Sequence, residues 1–106
     1  MIVTVFRSRL MPGLQEEYIK LVDRMVELAQ SMPGYISHKG FTAEDGERCT
    51  IVEFESEEAQ RGWRMNPEHL DAQKKARDIY YSSYSLQICE LKRESKFDRN
   101  ARMAAE

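Results

Sequence analysis

The side chains with chemistry to offer gather in one stretch, FESEEAQRGWRMNPEHLDAQKKARDIYY, running from Phe54 to Tyr81. It holds the single Trp of the chain, Trp63, and one of its two His, His69, on either side of an Asn66-Pro67 helix break. A neutral imidazole with an ordinary pKa of about 6.5 can take a proton from a phenol or an acidic C–H at neutral pH. Trp63 would supply an aromatic wall that stacks a substrate and keeps water away. Each residue also has a plainer reading. Trp63 follows Ala59 by four residues on one helical face, which suits core packing. His69 is followed at +4, +7 and +11 by Gln73, Ala76 and Tyr80 on one face, which suits a histidine hydrogen-bonded at the helix junction. His38, the second His, fits a satisfied structural role as simply as a functional one. Tyr80, Tyr81 and Tyr84 form an aromatic cluster that could line a pocket or dock a helix end onto a sheet.

Other chemistries are poorly provided for. The sequence has no glycine-rich phosphate loop, no Ser-His-Asp order and only two His for a metal, so no cofactor is expected. Cys49 and Cys89 lack CxxC spacing and sit in apolar, strand-like runs, where Cys behaves as a small buried hydrophobe. Sixteen Lys and Arg against eighteen Asp and Glu give a net charge of -2, which offers no basic footprint for nucleic acid. No apolar run approaches the roughly 20 residues of a membrane span, and MIVTVFRSRL lacks the layout of a signal peptide. Cytoplasm is the expected compartment.

The elements that must position these residues follow from pattern. Residues 2–10 are rich in β-branched and aromatic types and read as a strand. After Met11-Pro12-Gly13, apolar residues from Leu14 to Met32 recur at three and four, one helical stripe stopped by Pro33-Gly34. Residues 35–42 and 48–55 read as strands joined by a hairpin through Asp45-Gly46. Ser56 is a good N-cap for a helix carrying Trp63 to about Asn66, with Glu57 and Glu58 in its first turn. Pro67 then suits the first turn of another helix over 67–80, capped by Asn66. Residues 82–92 read as the last strand. Residues 93–106 form a charged tail, expected to be held as a short helix after Ser95.

The order βαββαβ predicts an α+β, ferredoxin-like fold: an antiparallel sheet with both helices on one face. Its central strands would be the first and third, with the fourth beside the first. Cys49 and Cys89 would then be two strand spacings apart, about 9–10 Å, beyond disulfide reach. The face away from the helices should be polar if solvated. Instead Val3 and Val5 oppose Ile2, Thr4, Phe6 and Leu10, Cys49 and Ile51 oppose Val52 and Phe54, and Leu86 and Ile88 oppose Cys89 and Leu91. Both faces are partly apolar, so a second copy of the chain is the expected cover, giving a homodimer with its sheets face to face.

With these segments in place the chain resembles the antibiotic biosynthesis monooxygenase family, small dimeric α/β-barrel proteins. The likeness covers residues 1–92 and rests on MPGYISHKGF, TIVEFESEEA, GWRMNPEHLDAQ and YYSSYSLQICEL in that order. It implies one ferredoxin-fold domain over 1–92, a dimer, and a pocket in each subunit between sheet and helices. The family includes cofactor-independent monooxygenases of anthrone-type substrates and haem-degrading enzymes. Haem-degrading members carry their axial His where this chain has Gln73, and an Asn where it has Ser8. Anthrone-oxidising members pair the matching Trp with a Tyr where this chain has His69. The Trp common at the end of the third strand is Phe54 here. The resemblance therefore implies a cofactor-free monooxygenase acting with O₂ on a small aromatic or enolisable substrate, with His69 and Trp63 catalytic and Phe54, Gln73, Tyr80 and His38 lining the substrate site. The alternative is a non-catalytic, dimeric small-molecule-binding protein on the same fold.

Overall fold

The computed structural model describes residues 1–100. Its elements are β1 (Ile2–Leu10), α1 (Gln15–Ser31), β2 (Tyr35–Thr42), β3 (Arg48–Phe54), α2 (Glu57–Arg64), α3 (Pro67–Lys75) and β4 (Tyr81–Glu90). The strands form one antiparallel sheet in the order β2-β3-β1-β4. This is the ferredoxin-like βαββαβ fold, with the second helical segment broken in two. Cys49 and Cys89 lie on strands either side of β1 and both thiols are free.

Local chemistry explains most of the boundaries. Gly46 takes a φ of +91° in the β2–β3 hairpin, which a side chain would resist. Arg7 and Arg9 of β1 reach across to Glu47 and Asp45 and tie this hairpin to the sheet. Ser56 Oγ accepts the Ala59 N–H at 3.1 Å and starts α2; Asn66 Oδ1 accepts the Glu68 N–H at 2.9 Å and starts α3, with Pro67 in its first turn. At exposed positions each such cap is worth about 1 kcal/mol.

Pairing register fixes which residues face the helices. Thr4 is paired with Val52 and Ile88, Phe6 with Thr50 and Leu86, and His38 with Val52, so these side chains share one face. Two core clusters hold the helices to it. Ala29, Val52 and Phe54 pack with Met32, Tyr35, Ala59 and Trp63; Tyr18, Ala76 and Tyr80 pack with Leu10, Leu14, Leu21, Val22 and Tyr81. The opposite face presents Val3, Val5, Cys49 and Ile51, with Phe41 about half exposed. The edge strand β4 is exposed along its length except at Tyr81.

One expectation is corrected. The helix over 67–80 stops being α-helical at Lys75, and Ala76–Tyr80 is a π-helical turn closed by a bond from the Tyr81 N–H to the Ala76 carbonyl. After the Leu91 N–H bonds the Met1 carbonyl, residues 92–100 are exposed, and 91–98 are neither helix nor strand. Helical backbone begins only at Arg99 and Asn100, and the expected helix beyond them lies outside the described residues. Among the described residues no helix is long and apolar enough to cross a membrane.

Candidate functional site

Between the sheet and the helices lies a cavity of about 200 Å³. Its floor is the helix-side face of the sheet, including Thr4, Phe6, Thr50 and Val52. Its walls are Leu21, Val22, Met25 and Val26 of α1, Gln60, Trp63 and Arg64 of α2, and His69, Ala72 and Gln73 of α3. Tyr84 and Leu86 of β4 border it and are about half exposed, so the chamber opens toward that edge.

Trp63 and His69 meet in this wall. Their rings lie 4.4 Å apart in an edge-on arrangement, the geometry that puts a ring's positive edge toward the other's negative face. The Asn66-Pro67 break makes this possible: α2 ends at Arg64, the chain turns, and α3 brings His69 back beside the Trp it has just passed. Gln73, one turn beyond His69, donates from Nε2 to His69 Nδ1 at 2.8 Å. An amide nitrogen can only donate, so Nδ1 accepts and the ring proton sits on Nε2. The Arg64 backbone acts on the imidazole against the effect of burial, favouring its protonated form.

The pKa expected for His69 is corrected by this setting. Burial removes water from the ring and lowers its pKa to about 4, and the nearby Arg64 charge acts in the same direction. The imidazole is therefore neutral at pH 7 and a much weaker base than its type suggests. The phenol of Tyr81 is pushed in the opposite sense, well above the usual range, because burial disfavours its anion; Tyr18 and Tyr81 share a 2.8 Å hydrogen bond between their hydroxyls.

Two polar atoms in the wall have no hydrogen-bond partner among the described residues, the indole Nε1 of Trp63 and the hydroxyl of Thr4. Buried polar groups are nearly always satisfied, and both of these residues border the cavity. Gln60, only 1% exposed, is in the same wall with its Oε1 near Arg64 Nε at 3.4 Å. His38 also borders the cavity, its Nδ1 2.9 Å from the Tyr35 hydroxyl.

Of the sequence candidates, Trp63, His69, Gln73 and His38 thus come together. Phe54 and Tyr80 do not line the cavity. Phe54 is fully buried behind Trp63, 5.5 Å between ring centres, and supports its indole. Tyr80 is 2% exposed and packs edge-on against Tyr18. The π-helical turn adds one residue to the register beyond Ala76, and Tyr81 rather than Tyr80 reaches the cavity. Thr4, Gln60, Arg64 and Arg77 were missed. Thr4 carried a signal, a lone polar residue in the row Ile2, Phe6, and so did Gln60, which shares the stripe of Trp63.

Residues 1–75 match the model of the antibiotic biosynthesis monooxygenase family. The chain belongs to that family. The uncharacterized protein YqjZ of Bacillus subtilis is 31% identical over 83 residues, 78% of this chain and 73% of YqjZ. Among solved structures, a mutant of SnoaB, a cofactor-independent oxygenase from Streptomyces nogalater, superposes with a TM-score of 0.76 at 16% identity, covering 88% of this chain and 94% of SnoaB. Rv0793 from Mycobacterium tuberculosis gives 0.79 at 17% identity, covering 90% and 98%. At such identities these two structures speak for the fold. The haem-degrading chemistry known in the family finds no support in the donors present: Gln73, where the axial His would stand, is a carboxamide engaged with His69.

Proposed function

We propose that this family member is a cofactor-independent monooxygenase that oxidises a small aromatic or enolisable molecule with O₂. The observation that carries the reading is the joining of Trp63, His69 and Gln73 in one wall of the cavity. The description of SnoaB as a cofactor-independent oxygenase supports it. Removal of a proton from an acidic CH₂ gives a carbanion, which reduces O₂ by one electron. The substrate radical and superoxide combine to a peroxide anion, which takes back the proton removed at the start, and loss of water leaves a ketone. The substrate is its own reductant.

His69 enters this scheme differently from a free imidazole. Against a phenol-like acid of pKa about 10, proton transfer to a group of pKa about 4 is uphill by about 8 kcal/mol, compared with about 5 kcal/mol for an ordinary imidazole. That difference alone slows the step more than a hundredfold. In the resting site His69 therefore serves as a neutral hydrogen-bonding group, and it becomes an effective base when a bound substrate brings negative charge beside it. Trp63 and the tyrosines of the wall hold the substrate flat and exclude water.

The engaged imidazole equally favours a second reading, a non-catalytic dimeric binding protein with the same pocket. Oxygen uptake by metal-stripped protein, offered a panel of anthrones and quinols, separates the two. Saturable uptake that is lost in His69→Ala supports catalysis; a protein that binds these compounds without uptake supports the carrier. We further propose a cytoplasmic homodimer that covers the apolar sheet face bearing Val3, Val5 and Ile51.

A further inference from the structure

Arg7, Arg9, Arg24 and Arg61 each meet a carboxylate, on Glu47, Asp45, Glu68 and Glu57 respectively. Arg64 and Arg77 meet none among the described residues, and both border the cavity. Arg64 is the more telling of the two. It is half-buried at the end of α2, where its Nε donates only a long 3.4 Å bond to Gln60. Arg64 and His69 line the same cavity. The whole lining contains two arginines and two histidines and no Asp or Glu. A partly buried cation without a counter-charge is costly, and an arriving anion relieves that cost.

The neighbouring residue repeats the pattern without charge. The Trp63 indole N–H is a buried donor with no acceptor, and the hydroxyl of Thr4, which is 3% exposed, is unpartnered on the floor. The lining thus offers a cation and a buried N–H without a partner, and no carboxylate to meet them. The complement of such a surface is a flat apolar body with an oxygen anion at one end.

We propose that the cavity selects an amphipathic organic acid, its aromatic body among Phe6, Leu21, Met25 and Ala72 and its carboxylate held by Arg64, with the Trp63 indole N–H as second donor. The proposal rests on the reading of the cavity as a ligand site and adds the class of ligand. It also supplies the negative charge that would restore basicity to His69 during turnover.

The test compares 1-naphthoate with 1-naphthalenemethanol, near-isosteric probes that differ in charge, titrated calorimetrically into the full chain at pH 7. The indole N–H resonance of Trp63, the one Trp of the chain, is followed by NMR in the same titrations. Naphthoate is expected to bind about tenfold or more tightly than the alcohol, as a charge-assisted contact should, and to move the indole resonance downfield. Arg64→Met should bring naphthoate down to the affinity of the alcohol and leave the alcohol unchanged, while Arg64→Lys keeps part of the preference. Equal affinities in the wild type would overturn the proposal without recourse to any variant. So would a preference that survives in a folded Arg64→Met protein, or acid binding that leaves the indole resonance unmoved. Failure of both probes to bind would remove the cavity reading itself. No turnover is involved, so an inactive protein that still prefers the acid would contradict only the oxygenase reading.

Discussion

His69 is held edge-on against Trp63, its Nδ1 receiving the Gln73 amide, and this setting has a thermodynamic signature. In the unfolded chain His69 titrates near its ordinary 6.5, in the folded protein near 4. Between those values the unfolded state holds a proton that the folded state does not. Stability therefore falls as pH drops from about 7 to about 4, by at most about 3 kcal/mol from this group. Asp45 and Glu68, whose pKa values are lowered by their hydrogen bonds, lose stability on the same side at still lower pH. Urea unfolding of the wild type and of His69→Gln at pH 7 and pH 4.5 isolates the histidine: the variant should lose distinctly less stability over this interval. Parallel losses would mean that the imidazole is not buried neutral. The location of this pair was legible in the sequence because a lone Trp and a His flank an Asn-Pro break. The electrostatics were not, since Arg64, Gln60 and Thr4 join them only through the fold, and no spacing rule brings a β1 threonine to an α2 tryptophan.

At the scale of elements, the hydrophobic periods and the turn residues were enough for order, type and most boundaries. Where they failed, the cause is specific: apolar spacing cannot register the one-residue insertion of the Ala76–Tyr80 turn, so it assigned Tyr80 the place that Tyr81 occupies. The position of α2, and with it Trp63, depends on two local devices of different strength. Ser56→Ala removes the cap bond to the Ala59 N–H and should cost about 1 kcal/mol in chemical denaturation. Gly34 is more exacting. Its φ is +84°, and a Cβ there would come within 2.6 Å of the Ala59 Cβ at the start of α2. Gly34→Ala should cost about 2 kcal/mol or more, since the left-handed backbone alone costs about 1–2 kcal/mol and the helix must also move. Its Trp63 fluorescence should shift with the displaced helix. A Gly34→Ala protein as stable as the wild type, with unchanged fluorescence, would show that α2 is not seated through this contact.

For the whole molecule, the sheet is covered on one face only, and the other carries Val3, Val5, Ile51 and a half-exposed Phe41 among polar neighbours. Such a surface is expected to associate, so light scattering after size exclusion should give twice the 12.4 kDa chain mass at micromolar concentration. A clean monomer would leave that face without its proposed cover. Partly apolar alternation on both sheet faces was visible in the sequence; the cavity beneath the other face was not, because its volume depends on how far α1 stands from β1. The claim that joins these scales is that this cavity is where a substrate meets O₂ without a cofactor. Oxygen consumption by metal-stripped wild type and His69→Ala, with anthrones and quinols as substrates, tests it most directly. The account predicts saturable uptake by the wild type that falls at least tenfold in a folded, still dimeric variant. No uptake with any of these substrates, or equal uptake by the variant, would contradict it.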